Sequence, residues 1–357
     1  MMLDLTASSV DLTRAICDIP SVSGEEGVLA DAIEAAIAPL AHLETIRHGN
    51  TIVARTNLGR AQRVAIAGHI DTVPVNGNLP TRDIEIDGTR YLWGRGTVDM
   101  KAGTAVQLKL AAELTAPLVD ITWMWYDNEE VEASKNGLAL LAAARPDLFA
   151  ADFAILGEPS NGEVEGGCNG TLRALVRTAG VRAHSARAWV DENAIHRAAP
   201  VLARLAEYRA REVEVEGLLY RESLSAVRIA GGVAGNVIPD ACEIEVNYRF
   251  APSKTAADAE AHVRAVLAGF EIEITDAAEG ARPGLDAPVA QQFVAAVGAA
   301  PRPKYGWTDV ARFSALGIPA VNYGPGDPHL AHHDGERVPV GQIEAVEQGL
   351  RTWLTSL

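Results

Sequence analysis

The sequence predicts an α/β fold built from two domains, and three observations support this prediction. The chain has 357 residues, which is more than one hydrophobic core usually accommodates. Its first 160 residues alternate helical and strand patterns, as layered α/β domains do. From residue 171 the pattern becomes β-α-β-β-α-β, the order of the ferredoxin-like split βαβ unit. We therefore predict a first domain of residues 1–170 and 284–357, interrupted by an inserted domain of residues 171–283.

The first domain carries clear helix and strand signals. Ser23-Gly24-Glu25-Glu26 fits a capping box, and it predicts a helix with apolar positions at Val28, Leu29, Ile33, Ile37 and Leu40. Short apolar runs predict buried strands at 63–67, 121–126 and 153–156, and a helix is predicted at about 99–114. Each apolar run ends in glycine or acidic residues, which is what we expect of strands that end at a functional edge.

The inserted domain is predicted from a second series of patterns. Strands are expected at 171–178, 225–230, 242–249 and 270–274, and helices at about 193–210 and 256–268. The run at 242–249 (CEIEVNYR) alternates apolar and polar residues. This alternation predicts a sheet with one buried face and one face in water.

Composition and charge argue against several classes of partner. The formal net charge is −16, so neither nucleic acid nor an anionic membrane surface would be attracted. The N-terminus has no apolar signal core, and no apolar run approaches the roughly 20 residues that a membrane-spanning helix needs. Cys17, Cys168 and Cys242 are widely spaced and form no CxxC pair, which is typical of reduced thiols. We therefore expect a cytoplasmic protein.

Five segments place acidic and imidazole groups at the ends of predicted elements. They contain His69 and Asp71, Asp99, Glu129 and Glu130, Glu158, and the adjacent pair His332 and His333. Each segment alone has an ordinary explanation, such as a helix cap, a turn or a surface histidine. Together they favour a metal site, because clustered carboxylates repel one another unless cations are present. Asp71 lies two residues after His69, where it can hold the second nitrogen of a ligating imidazole.

The same segments resemble a known family. The stretches GHIDTVP at 68–74, GRGTVDMKAG at 94–103, DNEE at 127–130, GEPS at 157–160 and AHHDGE at 331–336 resemble the co-catalytic zinc deacylases and exopeptidases. The resemblance runs over almost the whole length. It implies a zinc-exopeptidase-like α/β catalytic domain with an inserted ferredoxin-like α+β dimerisation domain.

The resemblance also implies a ligand set and a reaction. Each subunit would hold two Zn²⁺ ions, for which Co²⁺ or Mn²⁺ could substitute. Asp99 would bridge the ions, His69 and Glu158 would complete one site, and Glu130 and His332 would complete the other. Glu129 would be the general base, with Asp71 as a further member of the catalytic set. The expected reaction is hydrolysis of the amide bond of an acylated amino acid.

Residues of the inserted domain are implied in turn. The resemblance places His184 in the active site of the other subunit of a homodimer, and Asn236 and Arg249 at the substrate. Arg173 and Arg177 are weaker candidates for substrate binding. A succinyl group is the favoured acyl group, and the alternative is an acetylornithine deacetylase or another N-acyl amino-acid deacylase. A homologue that binds metal without turnover is the competing hypothesis of a different class.

Overall fold

The computed structural model describes residues 3–189 and 192–356, which fall into two compact units. The first unit comprises the described residues of 1–166, 284–302 and 312–357. The second comprises those of 167–283 and 303–311.

The α-helices are numbered in chain order. They are α1 (Ser9–Cys17), α2 (Gly27–Ile37), α3 (Lys101–Glu113), α4 (Gly137–Ala144), α5 (Ala194–Glu207), α6 (Ala256–Val266), α7 (Pro288–Val297), α8 (Val310–Ala315) and α9 (Val340–Thr355). Short 3₁₀ helices lie at Pro146–Phe149, Ser185–Arg187 and Pro328–Leu330. Among the described residues, no helix combines the length and the apolar character that crossing a bilayer requires.

The strands are numbered in the same way. They are β1 (Glu44–His48), β2 (Thr51–Arg55), β3 (Arg63–His69), β4 (Arg82–Ile86), β5 (Thr89–Trp93), β6 (Asp120–Tyr126), β7 (Phe153–Leu156), β8 (Glu165–Gly166), β9 (Gly170–Ala179), β10 (Ala183–His184), β11 (Arg211–Val215), β12 (Leu218–Gly231), β13 (Val237–Ile238), β14 (Ala241–Phe250), β15 (Glu271–Ala278), β16 (Arg302–Pro303), β17 (Ala320–Asn322) and β18 (Arg337–Pro339).

The first unit is built on a mixed sheet whose strands follow the order β1-β2-β6-β3-β7-β17-β8. Its centre is parallel, since β3 pairs in parallel with β6 and β7, and β17 pairs in parallel with β7. Every residue of β6 is buried, as expected of a central strand that is covered on both faces. A separate sheet has the order β18-β5-β4. The predicted strands at 63–67, 121–126 and 153–156 are confirmed as β3, β6 and β7.

The second unit contains an antiparallel sheet with the order β11-β12-β14-β9-β15. If the edge strand β11 is left aside, the other strands of this sheet and the two helices follow one another along the chain as β9-α5-β12-β14-α6-β15, which is the order β-α-β-β-α-β. One face of β14 is fully buried and the residues between are half-buried or exposed, which confirms the predicted alternation at 242–249. The buried side packs against α5 and α6 in one apolar cluster that includes Val201, Val246 and Val263.

The predicted capping box at 23–26 is wrong. Helix α2 begins at Gly27, its N-cap residue Glu26 makes no side-chain capping hydrogen bond, and Val28 is 68% exposed. The Ser23 hydroxyl instead donates to the Asp71 carboxylate at 2.7 Å. The Ser23 hydroxyl, which the local pattern assigned to the start of the helix, is therefore bound by the Asp71 carboxylate, which is distant in sequence.

The segment 303–311 groups with the second unit, whereas the sequence assigned all of 284–357 to the first domain. Hydrogen bonds within the second unit account for this difference. The Asn169 amide donates to the Lys304 carbonyl at 3.1 Å, and the Trp307 indole donates to the Glu279 carbonyl at 3.1 Å. Residues 167–170 likewise belong to the second unit rather than the first.

Candidate metal centre

The candidate site lies at the carboxyl ends of three adjacent parallel strands. His69 ends β3 and pairs with Tyr126, the last residue of β6, so residues 127–130 emerge beside it. Glu158 follows β7 by two residues on the other side of β3. Helix α3 begins just after Asp99 and approaches β7 closely, because a Cβ on Gly103 would overlap the Gly157 carbonyl oxygen. The topology therefore gathers four of the predicted segments at one edge.

His69 is held by Asp71 and faces Asp99. Its Nδ1 lies 3.1 Å from the Asp71 carbonyl oxygen and 3.4 Å from the Asp71 carboxylate. Its Nε2 lies 3.1 Å from Asp99 Oδ1 and 4.0 Å from Glu158 Oε1. The nitrogen that faces the carboxylates is therefore Nε2, and Asp71 holds the other ring nitrogen, Nδ1, as is usual for metal-ligating histidines.

Asp71 also positions the segment that contains the predicted general base. It is fully buried, and its two carboxylate oxygens accept the backbone N–H groups of Glu129 at 3.0 Å and Glu130 at 3.1 Å. Burial alone would raise the pKa of Asp71, but its contacts with His69 and Ser23 hold it below the usual range. One ionised carboxylate thus orients an imidazole and two consecutive acidic residues.

His332, rather than the adjacent His333, turns towards the carboxylates. Its Nε2 lies 3.0 Å from the Glu130 carboxylate and 3.3 Å from Asp99 Oδ2. His332 has a left-handed backbone with φ of 62°, an uncommon conformation for a non-glycine residue. His333 Nδ1 instead accepts the Gly335 amide at 2.9 Å within its own loop.

Among the described residues, three overlapping groups of potential ligand atoms result, and within each group the atoms lie no more than 4.8 Å apart. One group contains His69, Asp99 and Glu158, and a second contains Asp99, Glu130 and His332. Asp99 belongs to both, presenting Oδ1 to one imidazole and Oδ2 to the other. The third group places a carboxylate oxygen of Glu129 near His69 and Glu130. All five predicted metal ligands and the predicted base therefore converge.

The electrostatics of the site favour bound positive charge. Hydrogen bonds with Asp99 and Glu130 raise the pKa of His332 to about 10. Burial opposes protonation of His69, but Asp71 and Asp99 raise its pKa well above the usual value. Burial would raise the pKa of Asp99, yet the two histidines lower it. Imidazole and carboxylate donors in this environment suit divalent zinc, cobalt or manganese, so the residues fit a two-metal site.

Two buried residues at the site were not singled out from the sequence. Glu336 accepts the amide of Asp99 at 3.1 Å, and Arg95 donates to Glu336 at 2.8 Å. Both lie inside motifs that were identified from the sequence. Arg95 lies four residues before Asp99, and Glu336 lies four residues after His332. Their pairing spans 241 residues along the chain, so no local spacing signals it.

The second unit contains the other predicted residues. His184 in β10 pairs with Val237 of β13, and the Ser185 amide donates to the Asn236 carbonyl at 3.0 Å. His184 and Asn236 are therefore neighbours. Arg249 lies elsewhere, near the end of β14, where its Nε donates to Asn247 at 3.0 Å. Burial and the nearby Arg173 lower the pKa of Arg249.

Arg177 is engaged in ion pairs. Its guanidinium lies 2.9 Å from Glu243 and 2.6 Å from Glu273. These carboxylates on the neighbouring strands satisfy its charge, and this favours the solvated structural role.

Comparison with known proteins gives the family. Residues 65–357 match the profile of peptidase family M20/M25/M40. A Mycobacterium tuberculosis protein with the provisional name succinyl-diaminopimelate desuccinylase is 55% identical over 356 residues, which cover 99% of each chain. The succinyl-diaminopimelate desuccinylase of Corynebacterium glutamicum is 46% identical over 364 residues, covering 99% of this chain and 98% of the relative.

Solved structures show the same fold at low sequence identity. A Staphylococcus aureus tripeptidase superposes with a TM-score of 0.79 at 19% identity, over 99% of this chain and 98% of the tripeptidase. The YXEP protein of Bacillus subtilis, described as a dinuclear metal-binding peptidase, has a TM-score of 0.71 at 16% identity, over 97% and 96% of the two chains. The predicted α/β fold is confirmed.

The family profile and the full-length relatives identify the class as a metal-dependent hydrolase, and the convergent groups are its candidate metal-binding residues. The chain belongs to peptidase family M20/M25/M40.

Proposed function

We propose that this protein is a metal-dependent amidohydrolase that removes succinate from N-succinyl-LL-2,6-diaminopimelate. The products would be succinate and LL-2,6-diaminopimelate, for lysine and cell-wall precursor synthesis. The observation that carries the chemistry is the sharing of Asp99 between two ligand groups, one with His69 and Glu158, the other with Glu130 and His332. The choice of substrate is supported by near full-length identity of 46% to the Corynebacterium glutamicum desuccinylase.

The five ligands would hold two zinc ions. His69, Asp99 and Glu158 would bind one ion, and Asp99, Glu130 and His332 the other. Such a pair of ions supplies a water molecule of lowered pKa and positive charge beside the amide oxygen. The second-nitrogen contact between His69 and Asp71 at 3.1 Å supports the ligand role of His69, since it fixes which nitrogen faces the metal.

Glu129 would move the protons. Its backbone is held by Asp71, and its carboxylate lies within 4.8 Å of ligand atoms of His69 and Glu130. We assign to it the acceptance of a proton from the attacking water as the new C–O bond forms. The same carboxylic acid then protonates the leaving nitrogen as the C–N bond breaks, so the proton balance closes within one residue.

Arg249, with Asn236, is our candidate for binding the carboxylates of the substrate. Arg249 is partly buried beside Arg173, and its Nε donates to the neutral side chain of Asn247 at 3.0 Å. A guanidinium in this environment favours an anionic ligand, because a carboxylate accepts two parallel N–H bonds from it. We infer that this position contributes to the preference for a polyanionic substrate.

We further infer a homodimer. Strand β11 pairs only with Leu218–Glu222 of β12, and within the described residues no strand pairs with the same edge of 223–231. Val227 and Ile229 on that stretch are 58% and 49% exposed. An open edge with exposed apolar side chains is suited to pairing with a second copy. His184 would act in the active site of the partner subunit.

A cytoplasmic location is also part of the proposal. Cys17, Cys168 and Cys242 are all free and buried, which suits a reducing compartment.

A substrate panel tests the function. Zinc-loaded protein is assayed with N-succinyl-LL-2,6-diaminopimelate, N-acetylornithine and a dipeptide, and the released acid and amine are quantified by chromatography. We expect kcat/KM to favour the succinyl substrate by at least about 100-fold, because a site built for an extra carboxylate discriminates strongly against its absence. Preference for acetylornithine would reassign the substrate. Tight zinc binding without hydrolysis of any amide would point to a binding protein instead.

A further inference from the structure

Glu336 joins the loop of His332 to the backbone of Asp99. The side chain is 1% exposed and lies four residues after His332. Its Oε1 accepts the backbone N–H groups of Val98 at 2.9 Å and Asp99 at 3.1 Å. Its Oε2 accepts an N–H of Arg95 at 2.8 Å. One carboxylate therefore connects two loops that each present a predicted ligand.

Arg95 extends this connection to a third loop. It is 3% exposed, and its Nε donates to the Pro74 carbonyl at 3.2 Å, on the segment that follows His69 and Asp71. The backbone reinforces the pairing, because the Gly94 amide donates to the Glu336 carbonyl at 3.0 Å. The ion pair of Arg95 and Glu336 thus lies where the segments after β3, before α3 and before β18 meet.

We propose that Arg95 and Glu336 are positioning residues that set the separation of Asp99 from His332. The inference rests on the proposed two-metal function. Among the described residues, the converging ligand groups contain neither Arg95 nor Glu336, so the pair acts through the backbone of Asp99 and the loop of His332. A bridging carboxylate must present both oxygens in register, and a small displacement of its backbone would disturb both metal positions together.

Zinc titration of the metal-free protein tests the proposal. Glu336→Gln keeps the size of the side chain but exchanges one acceptor oxygen for an NH₂ group, which cannot accept from Arg95 or from an amide. We expect zinc to bind about 10- to 100-fold more weakly to this variant, the usual cost of losing a partner that orients a metal ligand. In the cobalt-loaded variant the visible absorption bands should shift, and kcat should fall more than KM rises.

Asp120→Asn is the matched control. Asp120 is also a buried carboxylate of the first unit, and it accepts the amides of Leu58 and Arg60 at 2.8 Å each and the Thr56 hydroxyl at 2.9 Å. It lies at the opposite end of β6 from the site. The Asp120→Asn protein should be less stable than the wild type but should keep the wild-type zinc affinity and the wild-type cobalt spectrum. Equal loss of zinc affinity in both variants would reduce Glu336 to a general structural role and overturn the proposal.

Arg95→Lys covers the case in which Glu336→Gln does not fold. Lysine keeps the charge but cannot donate to Glu336 and Pro74 in the same fork geometry. We expect an intermediate weakening of zinc binding, and in a double-mutant cycle the Arg95→Lys and Glu336→Gln effects should be less than additive. Wild-type zinc affinity in Arg95→Lys and in Glu336→Gln would overturn the positioning role and leave the proposed function intact. Failure of the wild-type protein to bind two zinc ions would overturn both.

Discussion

Buried carboxylates occur in both compact units, and their surroundings differ. In the second unit Glu222 is fully buried, with Lys254 Nζ at 2.6 Å, Arg211 Nη2 at 2.9 Å and the Tyr248 hydroxyl at 3.1 Å. We call these four residues the Glu222 cluster. In the first unit the carboxylates of the candidate site face one another and two histidines.

The difference separates structural from functional burial of charge. The Glu222 cluster carries its own cations, so its negative charge is compensated inside the fold. The candidate site has more carboxylates than imidazoles, and its histidines respond with raised pKa values, His332 to about 10. Burying acidic groups without equal positive charge costs free energy, and this cost is removed when cations bind. The first arrangement stabilises a fold, and the second prepares a ligand site.

Removal of Asp99 should produce the largest effect. Asp99→Ala takes away the carboxylate shared by the two ligand groups, so we expect loss of both metal ions. Turnover should fall by at least about 1,000-fold, because metal chemistry supplies several kcal/mol and each 1.36 kcal/mol is a factor of ten. Metal content is measured by atomic emission after gel filtration. Glu222→Gln is the control and should retain wild-type metal content.

Glu129→Gln should separate chemistry from metal binding. The amide cannot accept the water proton, so kcat should fall about 100- to 10,000-fold. Zinc content should stay at the wild-type level, because His69 and Glu130 remain in groups completed by Asp99 and by Glu158 or His332. A rate near that of the wild type would remove Glu129 from the mechanism.

His184→Ala tests whether a residue of the second unit takes part in catalysis. The buried Glu222 cluster of that unit is compensated, so its own charges give no reason to expect a catalytic role. His184 lies outside the converging groups, so its loss should leave zinc content unchanged. We expect kcat to fall about 10- to 1,000-fold, the range for one lost oxyanion donor or proton-transfer group. Mixed dimers of His184→Ala and Glu129→Gln subunits should regain part of the activity if His184 acts across subunits. Activity no higher than in either parent would argue against that role.

Glu222→Gln should affect stability and its pH dependence. The variant leaves Lys254 and Arg211 without their anion, so we expect a loss of roughly 1–3 kcal/mol in unfolding free energy near pH 7. Burial opposes it, but Lys254 and the Ala251 amide lower the pKa of Glu222 below its ordinary value of 4.5. The wild-type advantage is therefore present above pH 4.5 and disappears as the pH falls through the lowered value. Urea denaturation of both proteins across this range measures it.

Much of the site could be predicted from the sequence because its residues follow local patterns. His69 ends one apolar run, and Glu130 and Glu158 follow two others within four residues; such runs mark buried strands, and parallel strands bring these ends together. The choice of His332 over His333 came from the family resemblance and not from the local pattern, since it depends on a left-handed backbone at residue 332. Spacing alone contains no information on that turn.

Long-range polar partners explain the remaining differences. Ser23 fits a capping box locally, but in the folded chain Asp71, 48 residues away, takes its hydroxyl. Arg95 and Glu336 pair across 241 residues, and each alone is an ordinary charged residue in a loop. Patterns of a few residues report local structure, whereas these contacts depend on the completed tertiary fold.

Substitution of a buried cysteine should have the smallest effect of these changes. The cysteines are also a third case of burial, because burial dominates the pKa of the thiol and charged neighbours contribute little. Burial raises the pKa of Cys168 to about 11, and its Sγ contacts the Thr308 carbonyl at 3.7 Å. Since the thiolate is the reactive form, the native protein should react slowly with a disulfide reagent at pH 8, and guanidinium should expose all three thiols. Cys168→Ala should change kcat by less than about twofold. Rapid labelling of the native thiols, with loss of activity, would instead place a cysteine at the site.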